Sequence, residues 1–189
     1  MAGEFKLILG PMASGKSRTL ITVLEKYKYA NKKVVAVHPG INVRDQQIES
    51  RNGLKHEAVK VKQLAEFIRR INLDELDVLG IDEAFMFDAE DLRSSIVKLL
   101  KNGKTVVASS LNIMGNGNVP PAVVAMLALA PDVSFEDAVC TTCDEMDGNM
   151  TLIFNKKTKK QITDLPDVVP DDGTLGYRPV CRSCYFGWK

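Results

Sequence analysis

No cysteine occurs in this chain before Cys140, so whatever its four cysteines do is confined to the C-terminal third. An excess of either charge is also missing. Lysine and arginine number 25 against 24 aspartates and glutamates, a formal net charge of +1. So even a balance argues against a general nucleic-acid coat or a polybasic membrane binder. Long apolar runs are absent too. The longest, Val119 to Pro131, is too short to span a bilayer and carries prolines at its start and end. The first residues show no basic region followed by an apolar stretch and a cleavage site, so no signal peptide is expected and the expected location is cytoplasmic. Internal repeats and low-complexity tracts are not found. What remains is an ordinary globular composition, 45% apolar and 26% charged over 189 residues, enough for one domain with a small appendage.

The first two thirds alternate strand and helix. Glu4 to Leu9 reads as a short apolar strand, Lys16 to Ala30 as a helix, and Val34 to Val37 as a β-branched buried strand. Pro39 to Gly53 is loop-like. Val61, Leu64, Ala65, Ile68 and Ile71 recur at helical spacing. Asp77 to Ile81 is a third strand. Asp88 to Lys101 is a helix with Asp88 as its N-cap and Asn102-Gly103 as its stop. Thr105 to Leu111 is a fourth strand, Asn112 to Pro121 a loop and Ala122 to Ala130 a buried helix. Repeated strand–helix–strand units imply a parallel sheet covered by helices, with ligands beyond the carboxyl ends of the strands. From Ser134 short strands, turns and paired cysteines take over. The expected division is therefore 1–132 and 133–189.

Gly10-Pro11-Met12-Ala13-Ser14-Gly15-Lys16-Ser17 matches Gly-x4-Gly-Lys-Ser/Thr and lies between an expected strand and an expected helix. Such a turn converges backbone N–H groups on phosphate oxygens while the helix presents its positive end. Lys16 is expected to reach the β and γ phosphates of ATP, and the Ser17 hydroxyl to ligate Mg²⁺. The third strand ends in Asp82-Glu83. An Asp at such a strand end holds Mg²⁺, usually through water, and a Glu beside it can act as general base. The oxygen it activates is either water, giving an ATPase, or a substrate hydroxyl, giving a kinase. Asp74, Glu75 and Asp77 read as surface charges.

Cys140-x-x-Cys143 and Cys181-x-x-Cys184 offer four thiolates for tetrahedral Zn²⁺, and four thiolates leave no open position for catalysis. Disulfides are the competing reading and are disfavoured in a cytoplasmic protein. A structural zinc would pin the ends of the long segment Asp144 to Val180. Lys156, Lys157, Lys159 and Lys160 flank Thr158 between two strand-like runs and read as a solvated hairpin tip. His38 reads as a strand-end histidine and His56 as exposed.

Together these motifs resemble the cellular-type (type II) thymidine kinases. The resemblance rests on Gly-Pro-Met-x-Ser-Gly-Lys-Ser, on Ile81-Asp82-Glu83-Ala84, and on the ending Tyr177-Arg178-Pro179-Val180-Cys181-Arg182-Ser183-Cys184-Tyr185-Phe186, and it covers nearly the whole chain. His38-Pro39-Gly40-Ile41-Asn42-Val43-Arg44 is similar to that family's Lys-Pro-x-x-Asp-x-Arg loop. The resemblance implies an α/β fold, a P-loop (RecA-like) parallel sheet flanked by helices, plus a small C-terminal zinc-binding lasso domain. It implies transfer of the γ-phosphate of ATP to the 5′-hydroxyl of thymidine or a related pyrimidine deoxynucleoside. Glu83 would take the hydroxyl proton with Arg44 beside it. Asp172, Gly173, Thr174 and Gly176 would hold the base, mainly through backbone groups. Tyr177, Met12 and Leu111 would line the space around the thymine 5-substituent. A homo-oligomer, commonly a tetramer, is also implied, with small-molecule partners and neither membrane nor nucleic acid expected. Phe85 and Phe87 follow a buried strand and suit either the core or the substrate.

The chain departs from the family pattern at Asn42, where that loop has Asp, and in two further runs. Phe85 and Met86 stand in a run that usually reads Asp-Glu-x-Gln-Phe-Phe, and Leu111-Asn112-Ile113-Met114-Gly115 replaces Leu-Asp-x-x-Phe, with Pro120 where a second Phe is expected. Phosphoryl-transfer parts are kept while the nucleoside pocket changes, so altered nucleoside specificity is expected. The alternative is an ATP-binding protein or ATPase on this scaffold without nucleoside kinase activity.

Overall fold

A computed structural model of the chain describes residues 2–40, 47–49, 53–162 and 173–187. In chain order the elements are β1 (Phe5–Gly10), α1 (Lys16–Tyr29), β2 (Val34–Pro39), β3 (Gln47–Glu49), β4 (Lys55–Glu57), β5 (Val59–Val61) and α2 (Leu64–Arg70). They continue with β6 (Val78–Ile81), α3 (Ala89–Lys101), β7 (Thr105–Leu111), α4 (Pro121–Leu127), β8 (Asp132–Phe135), β9 (Met150–Asn155), β10 (Leu175–Val180) and α5 (Arg182–Phe186).

Six strands form a wholly parallel sheet in the order β5-β2-β6-β7-β1-β8. Alternation along the strands feeds two cores. Phe5, Leu7 and Leu9 of β1 face the side covered by α2, α3 and α4, where Leu92, Ile96, Leu99, Val123 and Met126 are buried. Ile8 faces the other side, against Leu20, Ile21 and Leu24 of α1. Both faces are covered, which is why the strands read as near-continuous apolar runs. At about 25 cal/mol per Å² of apolar area, each fully buried leucine contributes roughly 1.5–3 kcal/mol.

Helix ends follow local chemistry where the sequence supplies it. The Asp88 carboxylate accepts from the N–H groups of Glu90 at 3.1 Å and Asp91 at 2.9 Å, capping α3 as expected. Helix α2 is different. It starts at Leu64, not Val61, because Val61 is paired to Pro39 as the end of β5. Its first N–H groups are capped from another helix, with Asp91 accepting from Leu64 at 2.6 Å and from Ala65 at 2.9 Å. Helix α4 buries Ala122, Val123 and Met126 but leaves Val124 and Leu127 exposed, so it is one-sided where a buried helix was expected.

Strand β8 straddles the expected boundary between residues 132 and 133 and pairs with β1 through Lys6↔Asp132 to Leu9↔Phe135. Beyond it stands a separate antiparallel pair, β9 and β10, in register from Val180↔Met150 to Leu175↔Asn155. The lysine-rich segment is the expected hairpin tip. Asn155 Oδ1 accepts from the N–H groups of Lys157 and Thr158, and Phe154 bridges back to Gln161. The small β3–β4 hairpin packs on α1 through Ile48 and His56. His56 is buried, contrary to expectation, because its Nδ1 lies 2.8 Å from Glu25 Oε1 on α1. Burial, followed by the Lys28 ammonium, pushes its pKa below the ordinary value despite the pull of Glu25. Among the described residues, no helix is long and apolar enough to cross a membrane.

Candidate active site

A cleft of about 250 Å³ opens at the carboxyl ends of β1, β6 and β7. Its floor is the turn between β1 and α1. Ala13 (φ 64°) and Gly15 (φ 95°) lie in the left-handed region, which curls the backbone so that successive N–H groups face inward. Gly10 meets a different demand. A Cβ there would stand 2.3 Å from the Glu136 carbonyl oxygen, so only glycine lets the chain after β8 pass so close. No side chain caps the first turn of α1 and no acid sits in it, leaving the helix end to an anion. The Ser14 hydroxyl is buried in the same turn with no hydrogen-bond partner among the described residues, so its O–H can serve a phosphate oxygen. Lys16 Nζ donates to the Pro11 carbonyl at 2.6 Å, across the mouth of its own loop.

Strand β7 stands between β1 and β6, so the phosphate loop and Asp82 are two strand spacings apart, about 10 Å. Side chains close that gap. Ser17 Oγ donates to Asp82, lying 3.2 and 3.3 Å from its two oxygens, and Ser109 at the end of β7 donates to the same carboxylate. Asp82 is buried, yet its oxygens are held by hydroxyls alone, a hard-oxygen set that suits Mg²⁺. Glu83 follows at φ 50° and ψ 43°. For a non-glycine residue this left-handed turn costs about 1–2 kcal/mol. It breaks the chain out of β6 and leaves the Glu83 side chain on the cleft wall.

In the C-terminal unit, the four cysteine sulfurs lie within 4.8 Å of one another. Cys143 Sγ and Cys181 Sγ are 3.7 Å apart. Tetrahedral zinc with Zn–S bonds of about 2.3 Å needs edges of about 3.8 Å. The donors therefore fit. Burial pushes the Cys140 thiol up, but hydrogen bonds from the Cys181, Thr142 and Cys143 backbone and from the Cys143 side chain bring it down to about 6. Burial and hydrogen bonding among the thiols push Cys184 to about 12. One thiolate is welcomed and a second is resisted, a conflict that a bound dication removes.

Sequence comparison decides the family. The model described as thymidine kinase matches residues 3–185. The chain belongs to the thymidine kinase family. It is 29% identical over 189 residues to a protein named thymidine kinase from Amsacta moorei entomopoxvirus, covering 96% of this chain and 97% of that one. Thymidine kinase membership makes the protein a nucleoside kinase of nucleotide salvage, with an α/β sheet and a cysteine cluster compatible with zinc.

Within that frame, the expected site residues divide. Met12, Ala13, Ser14, Gly15, Lys16, Ser17, Asp82, Glu83, Phe85 and Leu111 line one cleft. Phe87 does not. It is buried in the main core, so the core reading of that residue is the one the structure matches. Gly173, Thr174, Gly176 and Tyr177 sit at or within β10, outside the cleft lining. Thr174 O accepts from Lys156 N, and Gly173 O from Lys156 Nζ, both at 3.0 Å. Arg44 and Asp172 lie outside the described residues.

Further residues join the site without a sequence motif to announce them, Ser110 on the cleft wall among them. Ser109 contacts Asp82, and Arg18 and Glu49 stand on the cleft wall. Thr151, buried on β9, accepts the Met12 N–H at 3.0 Å, tying the phosphate loop to the cysteine-bearing unit. Only Ser109 carried a usable signal, as a polar residue ending an apolar strand between the two motif strands.

Proposed function

We propose that the protein phosphorylates the 5′-hydroxyl of thymidine or a related pyrimidine deoxynucleoside with ATP as donor. The observation that carries this reading is the convergence of the phosphate loop, Asp82 and Glu83 on one cleft, with Ser17 hydrogen-bonded to Asp82. Backbone N–H groups of residues 10–17 and the Lys16 ammonium hold the triphosphate and neutralise charge that grows on the transferred group. Ser17 and Asp82 would hold Mg²⁺, which would supply further neutralisation of the triphosphate charge. Ser109 fixes the Asp82 carboxylate by its hydroxyl. Glu83 accepts the proton of the 5′-hydroxyl as that oxygen attacks, with Arg44 beside it. Phe85 packs at the nucleoside end, Met12 and Leu111 line the space around the base 5-substituent with Tyr177, and backbone groups of Asp172 to Gly176 hold the base. Zn²⁺ on Cys140, Cys143, Cys181 and Cys184 is structural.

The C-terminal unit in this reading begins after Phe135, where the large sheet ends. The assembly is a homo-oligomer in the cytoplasm. Met86, Met114 and Ile113 in place of aromatic residues would give a softer stacking platform, which favours tolerance of modified bases. The test is phosphorylation of thymidine, deoxyuridine, 5-substituted deoxyuridines, deoxycytidine and purine deoxynucleosides, with products identified by mass. A pyrimidine 5′-monophosphate as product is expected. ATP hydrolysis indifferent to every nucleoside would replace this reading with that of an ATPase.

A further inference from the structure

The loop after β7 leaves the cleft at Leu111 and reaches α4 at Pro121, and at its start the Asn112 N–H donates to the Gly10 carbonyl of β1 at 3.3 Å, while the rest meets other elements. It is also held from the cysteine-bearing unit. Asn112 Nδ2 donates to the Asn149 carbonyl at 2.9 Å. Gly115 lies so close to β9 that a Cβ would fall 2.2 Å from Ile153 Cγ1 and Cδ1. Tyr185, the residue after Cys184, donates its hydroxyl to the Gly115 carbonyl at 2.8 Å. That phenol is buried, and its ring belongs to the same apolar cluster as Cys140, Cys181 and the partly buried Ile113. Within the loop, Met114 N–H donates to Asn118 and Gly117 N–H donates back to Met114, so the segment moves as one closed turn.

We propose that Tyr185 is a strut through which closure of the cysteine quartet sets the position of the 112–118 loop, and that it is a positioning residue for the nucleoside. The geometry explains why a tyrosine serves here. Tyr185 N–H bonds the Cys181 carbonyl inside the second cysteine knuckle, while its hydroxyl meets the loop. One side chain therefore joins the metal-binding turn to the loop that continues from Leu111. The phosphate loop is tied to the same unit at a different point, Thr151, and so is not reached through Tyr185. Zinc content should then bear on acceptor binding in part through this hydroxyl, which acts beside the Asn149 and Ile153 contacts. The nucleoside part rests on the nucleoside kinase reading; the mechanical part does not.

Tyr185→Phe keeps the ring and removes the O–H. Zinc content and the KM for ATP should stay as in the wild type, while the KM for thymidine rises about 5–10-fold, the size of one lost buried hydrogen bond, with kcat changing less than twofold. Hydrogen exchange reads the strut without activity. Amides of 112–118 should exchange about tenfold faster in Tyr185→Phe and in wild-type protein stripped of zinc. Stripping zinc from Tyr185→Phe should accelerate that segment less than stripping it from the wild type, because one of its ties to the cysteine-bearing unit is already cut. Amides of α3 serve as the unmoved reference. Unchanged exchange over 112–118 in Tyr185→Phe, or equal acceleration by zinc removal in both proteins, would overturn the strut. Faster exchange with an unchanged thymidine KM would overturn the positioning role. If the wild type phosphorylates no nucleoside, the functional reading fails while the exchange result still decides the strut. The zinc-stripping arm on the wild type stands by itself should the variant not fold: acceleration of α3 and 112–118 alike would count against a specific link.

Discussion

The two halves of the cleft are built in different ways. The phosphate half is made by three neighbouring strand ends and a turn of eight consecutive residues, Gly10 to Ser17, backed by Asp82. Its geometry comes from backbone conformation, two left-handed residues and a close approach at Gly10 that leaves no room for a Cβ. The nucleoside half is assembled from segments far apart in sequence. In the proposed reading Leu111, which lines the cleft, leads into a loop that meets β9 and α5 beside the four clustered cysteines. One half is preorganised by the main core and the other is stapled on. Phosphate chemistry is the same for every substrate of such an enzyme, whereas the acceptor differs. It makes physical sense that the adaptable half is the one not embedded in the sheet.

The largest effect should separate chemistry from binding in the phosphate half. Glu83→Gln is expected to lower kcat by about 10²–10⁴, the usual worth of a general base, with ATP affinity kept. Steady-state kinetics beside equilibrium nucleotide binding reads both, and retained turnover would remove Glu83 from the base role. Next, Cys181→Ser should strike the nucleoside half. Changing a residue that only hydrogen-bonds to a metal ligand already costs about 10–100-fold in affinity, so loss of a ligand should cost at least that. Zinc stoichiometry and thymidine KM are the measurements; unchanged zinc content would show that the quartet is not a metal site.

A third change probes the seam between the halves. Thr151→Val leaves the Met12 N–H without its acceptor and should lower unfolding free energy by about 1–2 kcal/mol and weaken ATP binding. Denaturant titration and nucleotide binding would show it, and no change in either would mean the halves are independent. The smallest effect concerns β3–β4, which carries Glu49 to the cleft wall. His56 has a lowered pKa in the folded state, so its contribution is complete above the ordinary value of about 6.5 and is lost as pH falls below it. Tm should fall between pH 7 and 5 by about 2–4 °C more in the wild type than in His56→Gln. Parallel curves would exclude the histidine as the cause.

The same contrast explains what was legible in the sequence. The phosphate loop, the strand-end Asp82-Glu83 pair and the cysteine pairs are each local patterns, and the fold brings them where the patterns imply. Helix α3 was legible for the same reason, since Asp88 caps its own helix. Helix α2 began elsewhere than its periodicity suggested because its cap is Asp91, 27 residues on from Leu64. The burial of His56 was hidden because Glu25, on another element, faces it. Strand β8 was missed because Asp132 to Phe135 looks polar and exposed, as a sheet edge is. Phe87 and Phe85 are two residues apart in one aromatic run, and only tertiary packing sends one to the core and the other to the cleft.

The central claim is that this cleft passes phosphate to a nucleoside and not to water. The most direct measurement is the partition of the γ-phosphate of labelled ATP between nucleoside monophosphate and inorganic phosphate, with and without thymidine. The account predicts label chiefly in thymidine monophosphate, and little phosphate release without a nucleoside. Equal phosphate release in both conditions, with no labelled monophosphate, would contradict it.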